Sequence, residues 1–220
     1  NLSDTLSLHL SPESILSVCR LLEEQSGVNI KVEREKGYTR VLAWGLDRKG
    51  LLASLAAGLA RSNVKIISAY VHTLRDDRVL DEFHVTDSQD NPISENSYLQ
   101  RIRAILLTVL REEEILKIDD SGVVPDVLMK SLPVTVRPHP SAARDVTAIE
   151  VVAADRKGLL ASLSGAVADL GFVLRGANIR TFGEKAVDVF FITDDKSCKL
   201  SRQNTLLLVQ ALEKVAQLTV

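Results

Sequence analysis

Two identical loops are the part of this chain best suited to hold a ligand. The nonamer DRKGLLASL occurs at residues 47–55 and again at residues 155–163. We interpret each copy as a loop that follows a strand and ends at a glycine, Gly50 or Gly158, where a helix begins. A helix N-terminus presents unpaired backbone N–H groups and the positive end of the helix dipole, which together can hold a small carboxylate such as that of an amino acid.

The same loops have a structural interpretation that explains their residue types equally well. Asp47 and Asp155 can accept hydrogen bonds from backbone N–H groups at the turn, and a glycine adopts backbone conformations that are costly for other residues. The leucines after each glycine would then belong to the core. Both interpretations stay open, and the candidate ligand-binding residues of the two loops are Asp47, Lys49, Gly50, Leu51, Leu52, Asp155, Lys157, Gly158, Leu159 and Leu160.

Catalytic and metal-binding patterns are missing from the sequence. The chain has no glycine-rich phosphate loop and no GxSxG motif, and its four histidines form no metal-ligand pair. The adjacent carboxylates Asp194 and Asp195 follow a strand, where such residues are more often solvated than catalytic. Cys19 and Cys198 form no CxxC pair. We therefore predict no catalytic residue, no metal site and no cofactor other than an amino-acid effector.

The loops lie within a repeated unit of strands and helices. The two nonamers are separated by 155 − 47 = 108 residues, and similar residues continue after each of them. Hydrophobic periodicity predicts strands at 39–46, 65–74, 79–87 and 115–118 and helices at 51–62 and 95–113 in the first copy. In the second copy it predicts strands at 146–153, 173–182, 186–194 and 217–220 and helices at 159–170 and 202–216. This βαββαβ order predicts an α+β protein with two ferredoxin-like domains, each an antiparallel sheet with helices on one face.

Further elements are predicted in front of each repeat. An additional strand at 28–35 precedes the first copy, another at 133–137 precedes the second, and residues 1–27 are expected to contain an amphipathic helix. Gly and Pro residues mark a linker between the copies. We therefore predict an N-terminal helical segment at 1–27, a first domain at 28–125 and a second domain at 126–220.

Composition and charge restrict the classes of partner. Apolar residues make up 45% of the 220 residues, enough for a core in each unit, and the formal net charge is −2 without a long block of Lys or Arg. The electrostatic footprint of a protein that binds nucleic acid or an anionic membrane is thus missing, and no apolar stretch is long enough to span a membrane. We expect a cytoplasmic protein and, because its first residue is Asn rather than Met, a fragment of a longer chain.

Residues outside the loops add a resemblance to a known family. The run DRKGLL, residues 69–73 and the run LDEF at residues 80–83 resemble an ACT domain, a ferredoxin-like module that binds amino acids in many proteins. The stretch RGANIRTFGEKAVDVF at residues 175–190 closely resembles the last ACT domain of the bacterial PII uridylyltransferase/uridylyl-removing enzymes. Residues 11–13 and 90–93 are also similar to the C-terminal third of those enzymes.

This resemblance implies a regulatory region. In that family the tandem ACT domains sense glutamine, upstream nucleotidyltransferase and HD phosphohydrolase domains carry out the catalysis, and the substrate is the PII signal protein. The chain has no His-Asp dipeptide of the kind the hydrolase needs, so we expect it to be catalytically silent alone. The implied partners are glutamine or another small amino acid, PII, the upstream catalytic domains and a second copy of the chain.

Two alternatives to amino-acid sensing belong to other functional classes. A ligand-free interaction module would use the same domains for domain packing, dimerisation or PII binding. An RNA-binding sheet would need aromatic and basic residues on its central strands, whereas this chain has Asp81, Glu82 and Asp188 there. We therefore expect no nucleic-acid partner.

Two positions depart from the family pattern and separate the copies. Many ACT loops have Pro where this chain has Lys49 and Lys157, and many have Asn early in the second strand, where Lys65 and Val173 stand. A lysine can meet the carboxylate of an amino acid, so we add Lys65 to the candidate residues. We expect the two copies to bind differently, with Lys65 favouring a site in the first copy.

The sheet face away from the helices also differs between the copies. Val189 and Phe191 stand in the second copy where the first has Glu82 and His84. An apolar sheet face requires a cover in a protein dissolved in water. Three covers stay open, namely the linker or N-terminal helix, packing of the two sheets on each other, and a dimer.

Overall fold

The chain folds into two similar units of strands and helices. The computed structural model describes residues 28–74, 76–111, 132–140 and 145–217. The elements of the first repeat are β1 (Val28–Arg34), β2 (Thr39–Leu46), α1 (Leu51–Arg61), β3 (Lys65–Thr73), β4 (Arg78–Thr86) and α2 (Asn96–Arg111). Those of the second repeat are β5 (Thr135–Pro138), β6 (Thr147–Ala154), α3 (Leu159–Asp169), β7 (Val173–Phe182), β8 (Lys185–Thr193) and α4 (Arg202–Gln217). These elements confirm the α+β class and the predicted positions of each to within two residues at either end.

The strands of both repeats form one continuous antiparallel sheet. Its order is β1-β2-β4-β3-β7-β8-β6-β5, so the equivalent strands β3 and β7 lie at the centre. They pair antiparallel from Ser68 opposite Arg180 to His72 opposite Gly176. Because equivalent strands pair in opposite directions, an approximate two-fold axis relates the repeats. We call the β3–β7 pairing the seam, and it means that the two sheets join edge to edge and do not stack face to face.

The outer positions of the sheet are filled differently from the βαββαβ prediction. The strand next to β2 is β1, with Val28 opposite Gly45, and the strand next to β6 is β5. The predicted last strand at 217–220 does not begin at Gln217, which is the last residue of α4. Leu208, Leu212 and Ala216 are buried at helical spacing and extend the helix to that point. The strand predicted at 115–118, residues 218–220, the helix within 1–27 and the domain boundary at 125/126 lie outside the described residues.

The core lies between the sheet and the helices. Phe83 of β4 and Phe190 of β8 are fully buried on the face that the helices cover. Helix α1 is buried over residues 51–60 because it packs against α2, α3 and β3. Gly58 permits the close approach of α2, since a Cβ atom there would lie 2.8 Å from Leu106 Cδ2. These contacts fix the position of α1, including its first turn, relative to the sheet.

The sheet face away from the helices is half-buried at the positions singled out from the sequence. Glu82 and His84 on β4 and Val189 and Phe191 on β8 all have intermediate exposure. Edge-to-edge joining removes stacking of the two sheets from the three covers considered above. None of the described helices combines the length and the apolarity needed to cross a membrane.

Candidate functional site

Two cavities lie at the two ends of the seam, and both repeats line each of them. The first cavity has a volume of about 620 Å³ and lies between residues 47–53 of the first repeat and residues 164–175 of the second. The second cavity has a volume of about 630 Å³ and lies between residues 155–161 of the second repeat and residues 56–67 of the first. Both volumes are in the range of small-molecule sites. The antiparallel seam therefore pairs the repeated loop of one unit with the other unit.

The glycine of each loop has a backbone conformation that favours glycine. Gly50 has φ 76° and Gly158 has φ 83°, both in the left-handed region, and each directly precedes a helix. Neither helix has a side-chain hydrogen bond at its N-terminal cap. The first N–H groups of a helix have no intrahelical acceptor, so the starts of α1 and α3 offer donors to the cavities. This geometry fits the carboxylate-binding interpretation of the loops.

The four candidate leucines contribute their backbone to this arrangement and their side chains to the core. Leu51 and Leu52 are 2% and 5% exposed, and Leu159 and Leu160 are 2% and 6% exposed. Their side chains are among the core residues packed between the helices and the sheet. The structural interpretation of the loop is thus correct for the leucine side chains, and it is compatible with a ligand held by the backbone.

Lys65 belongs to the second cavity and not to the first, contrary to the placement expected from the sequence. It lines the second cavity together with Asp155 and Lys157, and its charge partly offsets the rise that burial causes in the pKa of Asp155. Val173 takes the equivalent place in the first cavity. The reason is the antiparallel seam, which brings the start of β3 beside the loop of the other repeat. Lys65 lies with the loop 155–161 rather than with its own loop.

The two loop lysines are exposed, and one of them crosses between the repeats. Lys157 Nζ donates a hydrogen bond of 3.1 Å to Asn63 Oδ1 at the end of α1. Lys65 Nζ lies 2.9 Å from Asp90 Oδ1. Lys49 lines the first cavity and is exposed. The two lysines of the second cavity are therefore held by partners in the first repeat.

The two loop aspartates hold their loops against the hairpins of their own repeats. The backbone N–H of Asp47 donates to the carbonyl oxygen of Asp77 over 2.8 Å, and that of Asp155 donates to Glu184 over 2.8 Å. Asp47 Oδ2 also accepts a hydrogen bond of 3.2 Å from the hydroxyl of Thr73. Burial raises the pKa of Asp47, and it raises the pKa of Asp155 to about 6. Both carboxyl groups remain half-buried within the cavities.

Asp81 and Asp188 are cavity residues that the sequence interpretation did not include among the ligand-binding candidates. They stand on β4 and β8 at helix-facing positions, in phase with Phe83 and Phe190, and they are 1% and 2% exposed. Burial, followed by the charge of Asp47, raises the pKa of Asp81 well above its usual range. Burial and the charge of Asp155 raise the pKa of Asp188 to about 8. The sequence does contain a sign of both residues, since each is an acidic residue at a strand position where the alternation pattern predicts an apolar, buried side chain.

A Ser-His-acid arrangement on the open sheet face has no features of a hydrolytic site. Ser68 Oγ lies 2.9 Å from His84 Nδ1, and His84 Nε2 lies 2.6 Å from Glu82 Oε1. These residues lie on paired strands, apart from a bulge at Ile67, rather than at a helix N-terminus where N–H donors for an oxyanion converge. Tyr38 stacks on His84 with ring centroids 4.1 Å apart. We interpret the group as a structural hydrogen-bond cluster.

Metal binding receives no support from the part of the chain that the structure describes. In these ranges no group of three or more His, Cys, Asp or Glu side chains is arranged to hold a metal ion. The acidic residues that line the cavities are not arranged as such a group; they are Asp47, Asp77, Asp81 and Asp195 in the first cavity and Asp90, Asp155, Glu184 and Asp188 in the second. Because acidic and basic residues line each cavity, the cavities are suited to a small organic molecule that carries both a positive and a negative charge.

The repeated βαββα order, the joined sheet and the glycine-ended loops define a tandem of two ACT domains. The family model described as "ACT domain" matches residues 147–199, and the first repeat has the same nonamer and the same order of elements. The chain is homologous to the ACT-domain region of the bifunctional uridylyltransferase/uridylyl-removing enzymes of bacteria.

The similarity to those enzymes extends over most of this chain. The enzyme from Vibrio vulnificus strain YJ016 is 31% identical over 189 residues, which is 86% of this chain and 22% of the relative. The enzyme from Erythrobacter litoralis is 28% identical over 212 residues, covering 89% of this chain and 22% of the relative. The chain thus spans about a fifth of the length of the curated relatives that it matches.

A solved structure with loose similarity is an aspartate kinase from Synechocystis. Its sequence is 18% identical, the TM-score is 0.47, and the match covers 82% of this chain and 27% of the kinase chain. The overall superposition is therefore loose. The fold is assigned from the sequence repeat, the strand order and the family model.

Proposed function

We propose that this chain is a regulatory region that binds a small amino acid, glutamine first of all, in the cavities between its repeats. In this proposal the bound amino acid controls the uridylyltransferase and uridylyl-removing activities of a cytoplasmic enzyme that modifies the PII signal protein. Homology to enzymes with these two activities supports the proposal. The single observation that carries it is that each cavity joins an open helix N-terminus of one repeat to a wall of the other.

The two ends of an amino acid match the chemistry at two places in each cavity. Its carboxylate suits the unpaired N–H groups and the dipole at the start of α1 or α3. Its ammonium group suits the carboxyl-lined side formed by Asp47 in the first cavity or Asp155 in the second. A volume near 620 Å³ leaves room for a side chain as large as that of glutamine.

A ligand that contacts both repeats has a direct route to regulation. Contacts between the repeats already surround the cavities: the hydroxyl of Thr181 donates to the Ile66 carbonyl over 3.0 Å, and that of Thr73 donates to the Leu174 carbonyl over 3.4 Å. A molecule that binds only when both walls are in place stabilises the joined arrangement. Catalytic domains attached to this region would then be next to repeats that are held together when the ligand is bound and are less firmly joined when it is not.

Isothermal titration calorimetry with L-glutamine tests the proposal directly. We expect saturable heat with L-glutamine at up to millimolar concentration, together with a higher melting temperature of the chain. The matched control is the double variant Gly50→Val plus Gly158→Val, in which both loops lose the left-handed glycine conformation. If the wild-type chain gives no heat with L-glutamine or with any other L-amino acid, direct sensing by this region is wrong.

The second candidate function is a ligand-free interaction module that binds PII or packs against the catalytic domains. The observation in its favour is that Leu206 and Leu207 of α4 are 58% and 45% exposed. Adjacent exposed leucines on a helix are suited to a protein partner. Binding of purified PII to the chain without any amino acid, and its loss in the Leu206→Ser plus Leu207→Ser variant, would favour this function.

A further inference from the structure

Two buried carboxyl groups, one in each cavity, are only partly satisfied, because each accepts a backbone hydrogen bond through one oxygen, Asp81 from His72 and Asp188 from Arg180. Asp81 and Asp188 contribute to the floors of the first and second cavities and are 1% and 2% exposed. The Oδ1 atom of each is buried and has no hydrogen-bond partner. The two residues are equivalent, because the offset 188 − 81 = 107 is the repeat spacing after the single-residue deletion in the second hairpin.

An unsatisfied buried oxygen is costly, so its presence in both repeats requires a reason. Leaving one buried polar group without a partner costs roughly 1–3 kcal/mol, and native proteins satisfy the large majority of such groups. Equivalent positions in the two repeats carry the same unsatisfied atom beside the same glycine-ended loop. Such a group lying in a small-molecule cavity is suited to a hydrogen-bond donor that arrives with the ligand.

The other charged groups that line the cavities do not neutralise these carboxyls. After burial, the charge of Asp47 raises the pKa of Asp81 in the first cavity, and that of Asp155 raises the pKa of Asp188 in the second. The remaining charged residues of the first cavity are Arg48, Lys49, Asp77, Arg175 and Asp195. Those of the second cavity are Lys65, Asp90, Arg156, Lys157 and Glu184.

Lys49 is exposed, Arg48 donates to the hydroxyl of Ser54 over 3.4 Å, and the other cations among these groups are engaged with other partners. Arg175 lies 3.6 Å from Asp77 and Lys65 lies 2.9 Å from Asp90. Lys157 donates to Asn63, and Arg156 donates to the carbonyl oxygen of Val215 over 3.3 Å. Among the described residues, no cation is one of the groups that act on the pKa of Asp81 or Asp188, so a ligand can supply the positive charge that would pair with them.

We propose that Asp81 with Asp47, and Asp188 with Asp155, form a subsite in each cavity that binds the primary ammonium group of the amino acid. This inference rests on the proposed function and specifies how the ligand is recognised. An ammonium group has three donors, which suits two carboxyl groups side by side. The ligand carboxylate binds at the helix N-terminus on the other side of the cavity.

Binding in this manner is coupled to the release of a proton. In the second cavity burial and the charge of Asp155 raise the pKa of Asp188 to about 8, so its carboxyl group is mostly protonated at pH 7 before a ligand binds. A neighbouring ammonium group favours the ionised form. The Asp188 O–H bond breaks, its proton goes to solvent, and the carboxylate that remains accepts a hydrogen bond from the ammonium group. Charge balances because the neutral acid and the ammonium ion become an ion pair plus one released proton.

The experiment measures this proton with L-glutamine as the probe. Calorimetric titration at pH 7 in phosphate and in Tris, which differ in ionisation enthalpy, gives the number of protons released per ligand. We expect close to one proton for each L-glutamine bound in the second cavity. Glutaramate, which keeps the carboxylate and the amide of glutamine but lacks the amino group, should bind at least tenfold more weakly and release no proton.

The Asp188→Asn variant separates the subsite from a merely structural acid. It should lose the proton release of the second cavity and bind L-glutamine at least tenfold more weakly, while its affinity for glutaramate stays within twofold of the wild type. Asp81→Asn is the matched variant of the first cavity. Circular dichroism verifies that each variant is folded, and Asp188→Ser replaces Asp188→Asn if the latter is not.

The outcomes distinguish this inference from the function on which it rests. Binding of L-glutamine with the same observed enthalpy in both buffers, or an unchanged preference over glutaramate in Asp188→Asn, overturns the ammonium subsite and leaves amino-acid sensing intact. Failure of the wild-type chain to bind L-glutamine or any other L-amino acid overturns both.

Discussion

The two cavities have the same loop sequence but face different walls. The loop at residues 47–53 faces the start of β7, where Val173 and Arg175 stand. The loop at residues 155–161 faces the start of β3, where Lys65 stands and Asn63 binds Lys157. Each site takes half of its lining from the other repeat, so an identical loop does not produce an identical site. The difference shows that the seam, as much as the loop, determines what each cavity can bind.

The loop aspartates show the same difference in their hydrogen bonds. Thr73 shares its hydroxyl hydrogen between Asp47 and the carbonyl oxygen of Leu174 across the seam, whereas the equivalent Thr181 donates to the carbonyl oxygen of Ile66 across the seam. The hydroxyl bond lowers the pKa of Asp47, which burial raises. The pKa of Asp155 is raised to about 6, with burial as the main cause and Glu184 as a further one. The two loop aspartates therefore differ in their hydrogen-bond partners, although burial raises the pKa of both.

The largest expected effect concerns the acids on the cavity floors and the stability of the fold. The pKa of Asp188 is about 8 in the folded chain and about 3.9 in an unfolded one, so between these values the folded state binds the extra proton. The free energy of unfolding must then fall as pH rises, by up to about 1.4 kcal/mol per pH unit and by roughly 2 kcal/mol from pH 6 to 8, because the carboxyl group is already half ionised at pH 8. Asp188→Asn does not titrate, so it should remove the share of this slope that comes from Asp188 and leave the share of Asp81. Urea unfolding at pH 6, 7 and 8 measures it.

Asp81→Asn extends this test to the first cavity. Burial and the charge of Asp47 also raise the pKa of Asp81 well above its usual range, so the variant should likewise flatten the fall in stability with rising pH. The two single variants thus compare the floors of the two cavities directly. Equal slopes in the wild type and both variants would contradict the raised pKa values.

A change in the seam should affect both cavities together. A Cβ atom at Gly176 would lie 2.9 Å from the carbonyl oxygen of Val71, so Gly176→Ala forces β3 and β7 apart. We expect a loss of about 1–3 kcal/mol in the free energy of unfolding. Urea unfolding measures this loss, and calorimetry should show weaker binding in both cavities.

Gly165→Ala is the matched control for the seam variant. Gly165 lies in α3, and a Cβ atom there would meet nothing within 4 Å. Alanine favours a helix over glycine, so this variant should gain about 0.5–1 kcal/mol. Equal effects of the two substitutions would refute the close approach at the seam.

Single loop variants should separate the cavities from each other. Valine at Gly50 or Gly158 must adopt a left-handed backbone conformation that costs an L-residue about 1–2 kcal/mol. We expect each variant to weaken amino-acid binding about tenfold or more in its own cavity and to leave the other cavity within twofold. Calorimetric stoichiometry and affinity give the result. Loss of all binding in either variant alone would show that the cavities do not act separately.

The smallest expected effect distinguishes the lysines. In a Gly50→Val background, where only the second cavity binds, Lys65→Met should weaken amino-acid binding by up to about 1 kcal/mol, because the side chain is exposed and its ion pair with Asp90 is screened. Lys49→Met in the same background is the control and should have no effect, because Lys49 lines the first cavity. An effect of Lys49→Met equal to that of Lys65→Met would contradict the placement of Lys65.

The sequence was sufficient for the elements of each repeat because their signals are local. The alternation of apolar residues gives the bounds of β2 and β7 without error, and the glycines of the loops are correctly placed before helices. The α+β class and the ACT resemblance, which also rest on local patterns, are confirmed by the structure and by the family model. Each of these features depends on residues that are close together in the chain.

The walls of the cavities could not be predicted in the same way, because they depend on pairing between repeats. Nothing in β3 or β7 alone specifies that these two strands pair, so Lys65 was expected beside its own loop. Asp81 and Asp188 were visible as acids in the apolar phase of a strand, but their place on a cavity floor requires the helix and the loop above them. Prediction of the site residues therefore required the arrangement of the two repeats in space, whereas prediction of the helices and strands did not.

The seam has a consequence for how such a region would report on its surroundings. Two separate copies of one ACT domain would join their sheets only above some protein concentration, and their state would follow their own abundance. Here β3 and β7 belong to one chain, so their joining is a unimolecular step that does not depend on the amount of protein. A detector made in this way responds to the level of its effector whether the cell contains few copies of it or many.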